Sequence, residues 1–207
     1  MKYYKVLKAD GNCCNGGQGK WFLPTKQKDG TWKPGKWMPK VKGKLELCMN
    51  GYHICRPQYL INWLNEAIFE VEYKGIIIND DNKCVVREAR LLRRIETWNE
   101  KSARLFAADC AEKVLPIYEK EYPNEDAPRK AIQAARDYAN GKINKKQLAA
   151  AKVVAWDAAR AAAGDVAWDA ARAAAWNAAR AAAGDVAWDA AWEWQTERLF
   201  KYLEEQL

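Results

Sequence analysis

The side chain best suited to acid–base chemistry in this 207-residue chain is its single histidine, His53. It lies in the segment MNGYHIC, directly after Asn50-Gly51 and two residues before Cys55. A lone histidine on a strand is typically packed or hydrogen-bonded, and the functional alternative is a ligand-binding or proton-transferring side chain at the rim of a sheet. No Ser–His–Asp or Cys–His set is recognisable from the spacing, so we predict no catalytic residue.

The six cysteines are the next candidates for chemistry, as metal ligands or as reactive thiols. They contain no C-x-x-C pair, and a zinc set of Cys13, Cys48, His53 and Cys55 would not have the spacing of a known zinc ribbon or finger. We therefore expect no metal and no cofactor. The N-terminus lacks the apolar core of a signal peptide, which predicts reduced thiols in a cytoplasmic protein, in the host cytoplasm if a phage encodes it.

Interleaved tryptophan and lysine residues make the N-terminal region a candidate anion site. Such a surface can stack a base beside a bound phosphate. The alternative is that the tryptophans pin a loop to the core while the lysines keep it soluble. The glycines at 16, 17 and 19 resemble a phosphate-binding loop only superficially, because no Walker Lys-Ser/Thr pair and no helix follow them. The candidate ligand-binding residues here are Lys20, Trp21, Trp32, Trp37, Tyr52, His53 and Arg56.

A second candidate ligand surface lies in an internal repeat. Residues 155–166 read AWDAARAAAGDV and residues 175–186 read AWNAARAAAGDV, a period of 20 residues. Tryptophans and arginines at steps of four could line a groove for an anionic or aromatic ligand. The alternative is local ion pairing, because aspartates precede some of the arginines by three residues. The candidate residues of this surface are Arg160, Trp168, Arg172, Trp176 and Arg180.

The net charge of +7 is unevenly distributed. Residues 1–50 carry 11 lysines and 3 acidic residues, whereas residues 151–207 carry 6 basic and 9 acidic residues. This polarity argues against a surface that coats nucleic acid uniformly, and it favours a local anion site near the N-terminus. An apolar fraction of 49% excludes a disordered chain, and no apolar run is long enough to span a membrane.

Elements that would position these residues follow from the apolar periodicity, which predicts an α+β fold. Residues 1–96 are expected to form a small antiparallel β-rich domain with one short helix from Pro57, and residues 97–207 an Ala-rich helical bundle with internal repeats. Asn50-Gly51 predicts a type I′ turn that joins residues 45–49 to 52–55 as a hairpin. Further strands are predicted at residues 3–8, 68–78 and 83–95.

Helix signals follow Thr97. One apolar face predicts a helix that ends near Pro123, a second helix runs from Pro128 to Asn140-Gly141, and Asn144 with Gln147 form a capping box for a third. The Ala-rich repeat is either three helices broken at its two Gly-Asp pairs, 164–165 and 184–185, or one strongly bent helix. We favour the breaks.

One stretch carries a family resemblance. The sequence RLFAADCAEKVLPIYEKEYPNEDAPRKAIQAARDYANGKI, followed by the AAR/AAW repeats, resembles the Ala-rich helical segment of immunity proteins, which are small cytosolic partners encoded beside bacterial polymorphic toxins. The resemblance covers roughly residues 103–195. The N-terminal part, with its Asn-Gly-Tyr-His turn, is similar to uncharacterised phage accessory proteins. Both resemblances imply a binding role in host–phage or toxin conflict and carry over no catalytic residue.

These observations together favour a non-enzymatic binding protein. The leading hypothesis is a phage-type accessory or anti-defence factor that sequesters a small anionic, nucleotide-derived ligand. The alternatives are an immunity-type protein that blocks a toxin or effector protein, a nucleic-acid-binding protein, and a nucleotide-processing enzyme with His53 as acid or base. Trp-rich Ala helices self-associate readily, so we also expect a homo-oligomer, most simply a dimer, with no membrane partner.

Overall fold

The structure is a computed structural model that describes residues 1–151, 153 and 184–204. An antiparallel sheet region is followed by helices, which confirms the α+β class. Two compact units are present: a sheet unit of Met1–Asn99 together with the C-terminal residues from Leu203, and a helical unit of Glu100–Tyr202. Within the described residues, no helix is both long and apolar enough to cross a membrane.

The sheet unit is built around a four-stranded antiparallel sheet with the strand order β1-β5-β6-β4. A separate two-stranded ribbon pairs β2 with β3. The strands are β1 (Tyr3–Leu7), β2 (Thr25–Lys26), β3 (Trp32–Lys33), β4 (Tyr52–Ile54), β5 (Ala67–Asn79) and β6 (Cys84–Arg94). The predicted strands at 3–8, 68–78 and 83–95 are therefore confirmed as β1, β5 and β6.

Every second side chain along parts of β5 and β6 lies in the core. Ala67, Phe69 and Val71 of β5 are buried with Ala89 and Leu91 of β6. Because successive residues of a strand point to opposite faces, this spacing of two buries one face of the sheet. A 3-10 helix, Pro57–Trp63, fills the position of the predicted short helix and begins with proline at its first turn.

The sheet curls until its two outer strands meet. The backbones of Tyr4 and Cys55 exchange two N–H···O bonds of 2.9 Å, which join β1 to the residue that follows β4. The two ends of the strand order are thereby brought side by side. The curl creates a seam between β1 and β4, and the candidate site lies there.

The predicted Asn50-Gly51 hairpin is wrong. β4 pairs with β6, with Tyr52 opposite Val86, and not with residues 45–49. The tight turn lies earlier: Glu46 and Asn50 exchange backbone hydrogen bonds of 2.9 Å around Cys48, which adopts a φ of 64°. Gly51 serves close packing instead of the turn, because an added Cβ would lie 2.2 Å from a methyl carbon of Val85.

The helical unit contains the helices predicted after Thr97. Asn144 and Gln147 form the predicted capping box, with reciprocal backbone-to-side-chain hydrogen bonds of 2.9 and 3.0 Å. The predicted close of the second helix is also confirmed, because Asn140 caps it and Gly141 follows with a φ of 72°. The helices are α1 (Glu100–Glu121), α2 (Ala127–Ala139), α3 (described over 145–151) and α4 (described over Gly184–Glu204).

The repeat itself falls largely outside the described residues. The choice between helix breaks and one bent helix depends on residues 154–183, so it stays a prediction. The same holds for the groove predicted from Arg160, Trp168, Arg172, Trp176 and Arg180, all of which lie outside the described residues.

Candidate functional site in the seam of the sheet

A cavity of about 260 Å³ opens between β1 and β4, beside the Tyr4–Cys55 bridge. We call it the seam cavity. Its polar lining residues come from parts of the chain that are far apart in sequence, and only the curl of the sheet brings them together. Those that matter chemically are Lys5, Cys14, Cys48, His53, Trp63 and Lys83.

Lys5 lies on β1 and reaches across the seam. Its Nζ donates a 2.9 Å hydrogen bond to the backbone oxygen of His53 on β4. Burial lowers the pKa of the ammonium, although the neighbouring thiols of Cys13, Cys14 and Cys55 partly oppose this effect. The side chain also lies 5.3 Å from the centre of the Trp21 ring. Lys5 therefore lies in a poorly hydrated seam, with no carboxylate partner among its described contacts.

His53 is held in one tautomer by the turn that precedes it. The backbone N–H of Cys48 donates to Nε2 at 2.9 Å, so Nε2 must be unprotonated and the proton of the neutral ring lies on Nδ1. Burial, followed by the charges of Lys5 and Lys83, lowers the pKa of the imidazole. His53 is thus a neutral hydrogen-bond donor at pH 7.

Lys83 provides the second ammonium at the cavity. A hydrogen bond with the Cys48 side chain, followed by the nearby Asp80 carboxylate, raises its pKa. The Asp80 oxygen lies 3.5 Å from Nζ. The ammonium also lies 5.8 Å from the centre of the Trp63 ring, whose indole N–H donates to the backbone oxygen of Asn82 at 3.0 Å. Lys83 and Trp63 together form one wall of the cavity.

The thiols at the cavity act as hydrogen-bond donors. Cys14 Sγ donates to the Val6 oxygen at 3.4 Å, and Cys55 Sγ donates to the Tyr4 oxygen at 3.6 Å. Burial raises the pKa of Cys55 to about 12 and also raises that of Cys14. Because the thiolate is the nucleophile, this environment does not activate either cysteine. All six cysteines are free.

No metal site is evident in residues 1–151 or 184–204. In these parts of the chain no three His, Cys, Asp or Glu side chains come together as a ligand set. The structure brings His53 and Cys48 together through a backbone hydrogen bond, with the imidazole nitrogen already occupied as an acceptor.

Of the ligand-binding residues predicted for the N-terminal region, only His53 lines the seam cavity. Trp21 is 4% exposed and packs edge-on against Tyr52, with ring centres 5.3 Å apart. The Tyr52 hydroxyl donates to the Pro39 oxygen at 2.7 Å. Trp21 therefore belongs to the core, in agreement with the alternative in which tryptophans pin the loop, and Tyr52 is partly buried against that core.

The remaining predicted residues are dispersed over the sheet unit. The Trp37 ring has the Lys74 ammonium at 4.1 Å and the Arg90 guanidinium at 4.8 Å. The Arg56 guanidinium lies 5.6 Å from the Tyr59 ring. Lys20 is exposed, and Trp32 is half-buried on β3. Their role in ligand binding stays a prediction.

Lys5 and Lys83 are the site residues that sequence reasoning missed. On β1 the alternation of Tyr4 and Val6 places Lys5 on the opposite face of the strand, and Lys83 is only the first residue of the strand predicted at 83–95. The Gly-rich loop was a partial signal, since Gly16 and Gly17 do line the cavity. Nothing in the local sequence indicates that the sheet curls and brings Lys5 to His53.

A second cluster of charges lies in the helical unit. Asp109 of α1 accepts hydrogen bonds from Arg136 of α2 and from Arg198 and Tyr202 of α4, at 2.7, 2.7 and 2.6 Å. Burial by itself would raise the pKa of Asp109, but these three hydrogen bonds outweigh it and the pKa lies below its ordinary value. The cluster connects three helices and therefore has a structural role.

Comparison with known families concerns mainly this helical unit. Residues 93–192 match the family model described as Imm-5 like putative immunity protein, which supports the resemblance drawn from the sequence. No curated protein and no solved structure matches the chain. The expected similarity of the N-terminal part to phage accessory proteins is not supported by these comparisons and stays a prediction.

Proposed function

We propose that this protein is an immunity-type protein that binds a toxin protein and blocks it. The observation that carries this proposal is the match of residues 93–192 to an immunity-protein family. Immunity proteins of this kind are encoded beside the toxins they neutralise, so the product of the neighbouring gene is the toxin to test. The partner is thus a protein, and the helical unit is the part expected to contact it.

Exposed apolar side chains on α1 suggest where the toxin contacts the helical unit. Val114 and Ile117 are exposed and lie three residues apart, so they share one side of the helix. Apolar anchors in the centre of an interface carry much of its binding energy. The ion-paired network around Asp109 holds α1 against α2 and α4, which would keep such a surface rigid.

Co-expression of this chain with the product of the neighbouring gene tests the proposal. We expect growth to be rescued and the two proteins to co-elute as a stable complex that nucleotides do not disrupt. Ile117→Asp should weaken the complex about ten-fold or more. Ile76→Asp is the matched control, because Ile76 is 75% exposed, Ile117 is 72% exposed, and Ile76 lies outside the matched residues.

Two results would contradict the proposal or its mechanism. Failure of rescue would overturn the proposal, and rescue without a physical complex would overturn direct blocking. Equal effects of the two isoleucine substitutions would place the contact elsewhere on the chain.

A second candidate function is the sequestration of a small anionic, nucleotide-derived ligand, as expected of an anti-defence factor. It is favoured by one observation: Lys5, His53 and Lys83 line a single cavity. Calorimetric titration with cyclic and ADP-ribose-type nucleotides tests it, and the absence of binding across that panel would refute it. The toxin-blocking proposal does not depend on this result.

The enzyme alternative and the expected homodimer both stay predictions. A nucleotide-processing enzyme would use His53 as acid or base, and turnover lost in His53→Ala would support it. The Cys48 N–H already occupies Nε2, so only Nδ1 would be available for proton transfer. The expected homodimer stays a prediction, which light scattering would test.

A further inference from the structure

We propose that the seam cavity binds a small oxyanion, best matched by the phosphate group of inorganic phosphate or of a small phosphate ester. The inference concerns the cavity that favours the second proposed function, ligand sequestration, and it goes beyond that function by naming an oxyanion as the ligand. It is independent of toxin blocking.

The charge of the cavity lining favours an anion. Lys5 and Lys83 both line it, and none of the described residues that line it is an aspartate or a glutamate. Asp80 contacts Lys83 from outside the lining, at 3.5 Å. The partly buried Lys5 ammonium has a carbonyl as its described hydrogen-bond partner, so its charged form carries an uncompensated desolvation cost, and a bound anion would supply the missing opposite charge.

The hydrogen-bond donors at the cavity favour a phosphate group. The Lys5 ammonium has three N–H donors, of which one is used by the His53 oxygen. The Cys48 N–H fixes the proton of the imidazole on Nδ1, so His53 contributes a donor and cannot act as an acceptor there. Two ammonium groups and a neutral N–H that line one cavity suit a group with three or four acceptor oxygens, such as phosphate, better than a two-oxygen carboxylate.

The size of the cavity favours a small ligand. Its volume is about 260 Å³. Sites for drug-sized ligands usually enclose about 300–1,000 Å³. The seam cavity therefore accommodates phosphate or an ester of a few carbon atoms. The apolar surfaces of Val6, Ile54 and Trp63 would cover the carbon part of an ester.

A loop that includes Asn15 and Gly16 also lines the cavity. Asn15 and Gly16 have φ values of 56° and 81°, and Asn15 Nδ2 donates to the Trp63 oxygen at 3.0 Å. This hydrogen bond anchors the loop beside the wall formed by Trp63. An added Cβ on Gly16 would meet nothing within 4 Å, so this residue faces open space.

His53 provides a built-in probe, because it is the chain's single histidine and its ring resonances need no assignment among others. We would follow them by NMR while adding inorganic phosphate at constant ionic strength, with chloride as the competing control. Saturable shifts are expected with phosphate and with glycerol phosphate. The pKa of His53 should also rise on binding, because the anion offsets the charges of Lys5 and Lys83 that lower it.

Lys5→Gln should weaken phosphate binding about ten-fold or more, which is the scale of a lost charge-assisted hydrogen bond. Lys20→Gln, on an exposed loop residue with the same change of charge, is the matched control and should bind like the wild type. If Lys5→Gln does not fold, the wild-type titration and Lys83→Gln decide the question.

No saturable shift of the His53 resonances with phosphate would overturn the inference, and so would equal effects of the Lys5 and Lys20 substitutions. Phosphate binding without binding of any nucleotide would leave the inference standing and refute nucleotide sequestration. Nucleotide binding together with no shift of the His53 resonances on addition of phosphate would refute the inference and leave nucleotide sequestration standing.

Discussion

Asp109 is the residue whose substitution tests most directly how the helical unit is held together. It lies on α1, its side chain is 12% exposed, and it accepts hydrogen bonds from Arg136, Arg198 and Tyr202. Asp109→Asn preserves the size of the side chain but removes its charge. It also replaces one acceptor oxygen with an N–H donor that would face donors.

The expected loss can be worked out from the contacts. A hydrogen bond to a charged group contributes about 1.5–3 kcal/mol, and removal of one partner of a buried ion pair costs about 3–5 kcal/mol in total. Arg198 is about one-third exposed and regains some hydration, so the low end applies, about 3 kcal/mol. For a chain of this length, that corresponds to a fall in Tm of about 6–12 °C.

Glu112→Gln is the matched control, because Glu112 pairs with the same arginine. Its carboxylate accepts from Arg136 at 2.6 and 2.9 Å, but the side chain is 49% exposed. Screening by water reduces the contribution of such a pair to about 0.5 kcal/mol. Urea unfolding followed by far-UV circular dichroism, which reports the helices, would measure both free energies of unfolding.

We expect Asp109→Asn to destabilise the protein several times more than Glu112→Gln. Equal losses for the two variants would refute the reasoning, because burial and the number of donors would then make no difference. A stable Asp109→Asn variant would show that the three helices pack without the cluster.

Three further predictions concern local features. Burial lowers the pKa of His53 in the folded state, so below pH ~6.5 the unfolded chain takes up a proton more readily than the folded protein does. The free energy of unfolding should therefore fall as the pH drops below ~6.5. Urea titrations of His53→Gln should show a smaller fall. Asn144→Ala should lower the free energy of unfolding by about 1 kcal/mol, because the capping box with Gln147 is lost. An unchanged urea midpoint would contradict this. Iodoacetamide should label exposed Cys48 in the native protein but label Cys55 only on unfolding, as peptide mass mapping would show, and rapid native labelling of Cys55 would be inconsistent with its burial.

Local interactions made much of the fold predictable. The strands β1, β5 and β6, the helix α1 and the Asn144–Gln147 capping box depend on residues a few positions apart, whose apolar period and hydrogen-bonding groups are legible in the sequence. The partner of β4 was not predictable in this way. The Asn-Gly pair favours a hairpin, but Ile54 is buried when β4 pairs with β6, and that burial outweighs the local turn preference.

What the sequence by itself determined is the α+β class, most element boundaries, the basic N-terminal region and the immunity-protein resemblance of the helical part. Only the tertiary structure decided which polar groups meet. Lys5 and His53 are 48 residues apart, and Asp109 and Tyr202 are 93 residues apart. Each contact depends on how whole elements pack, and packing energy is spread over many apolar contacts that no short segment of sequence contains.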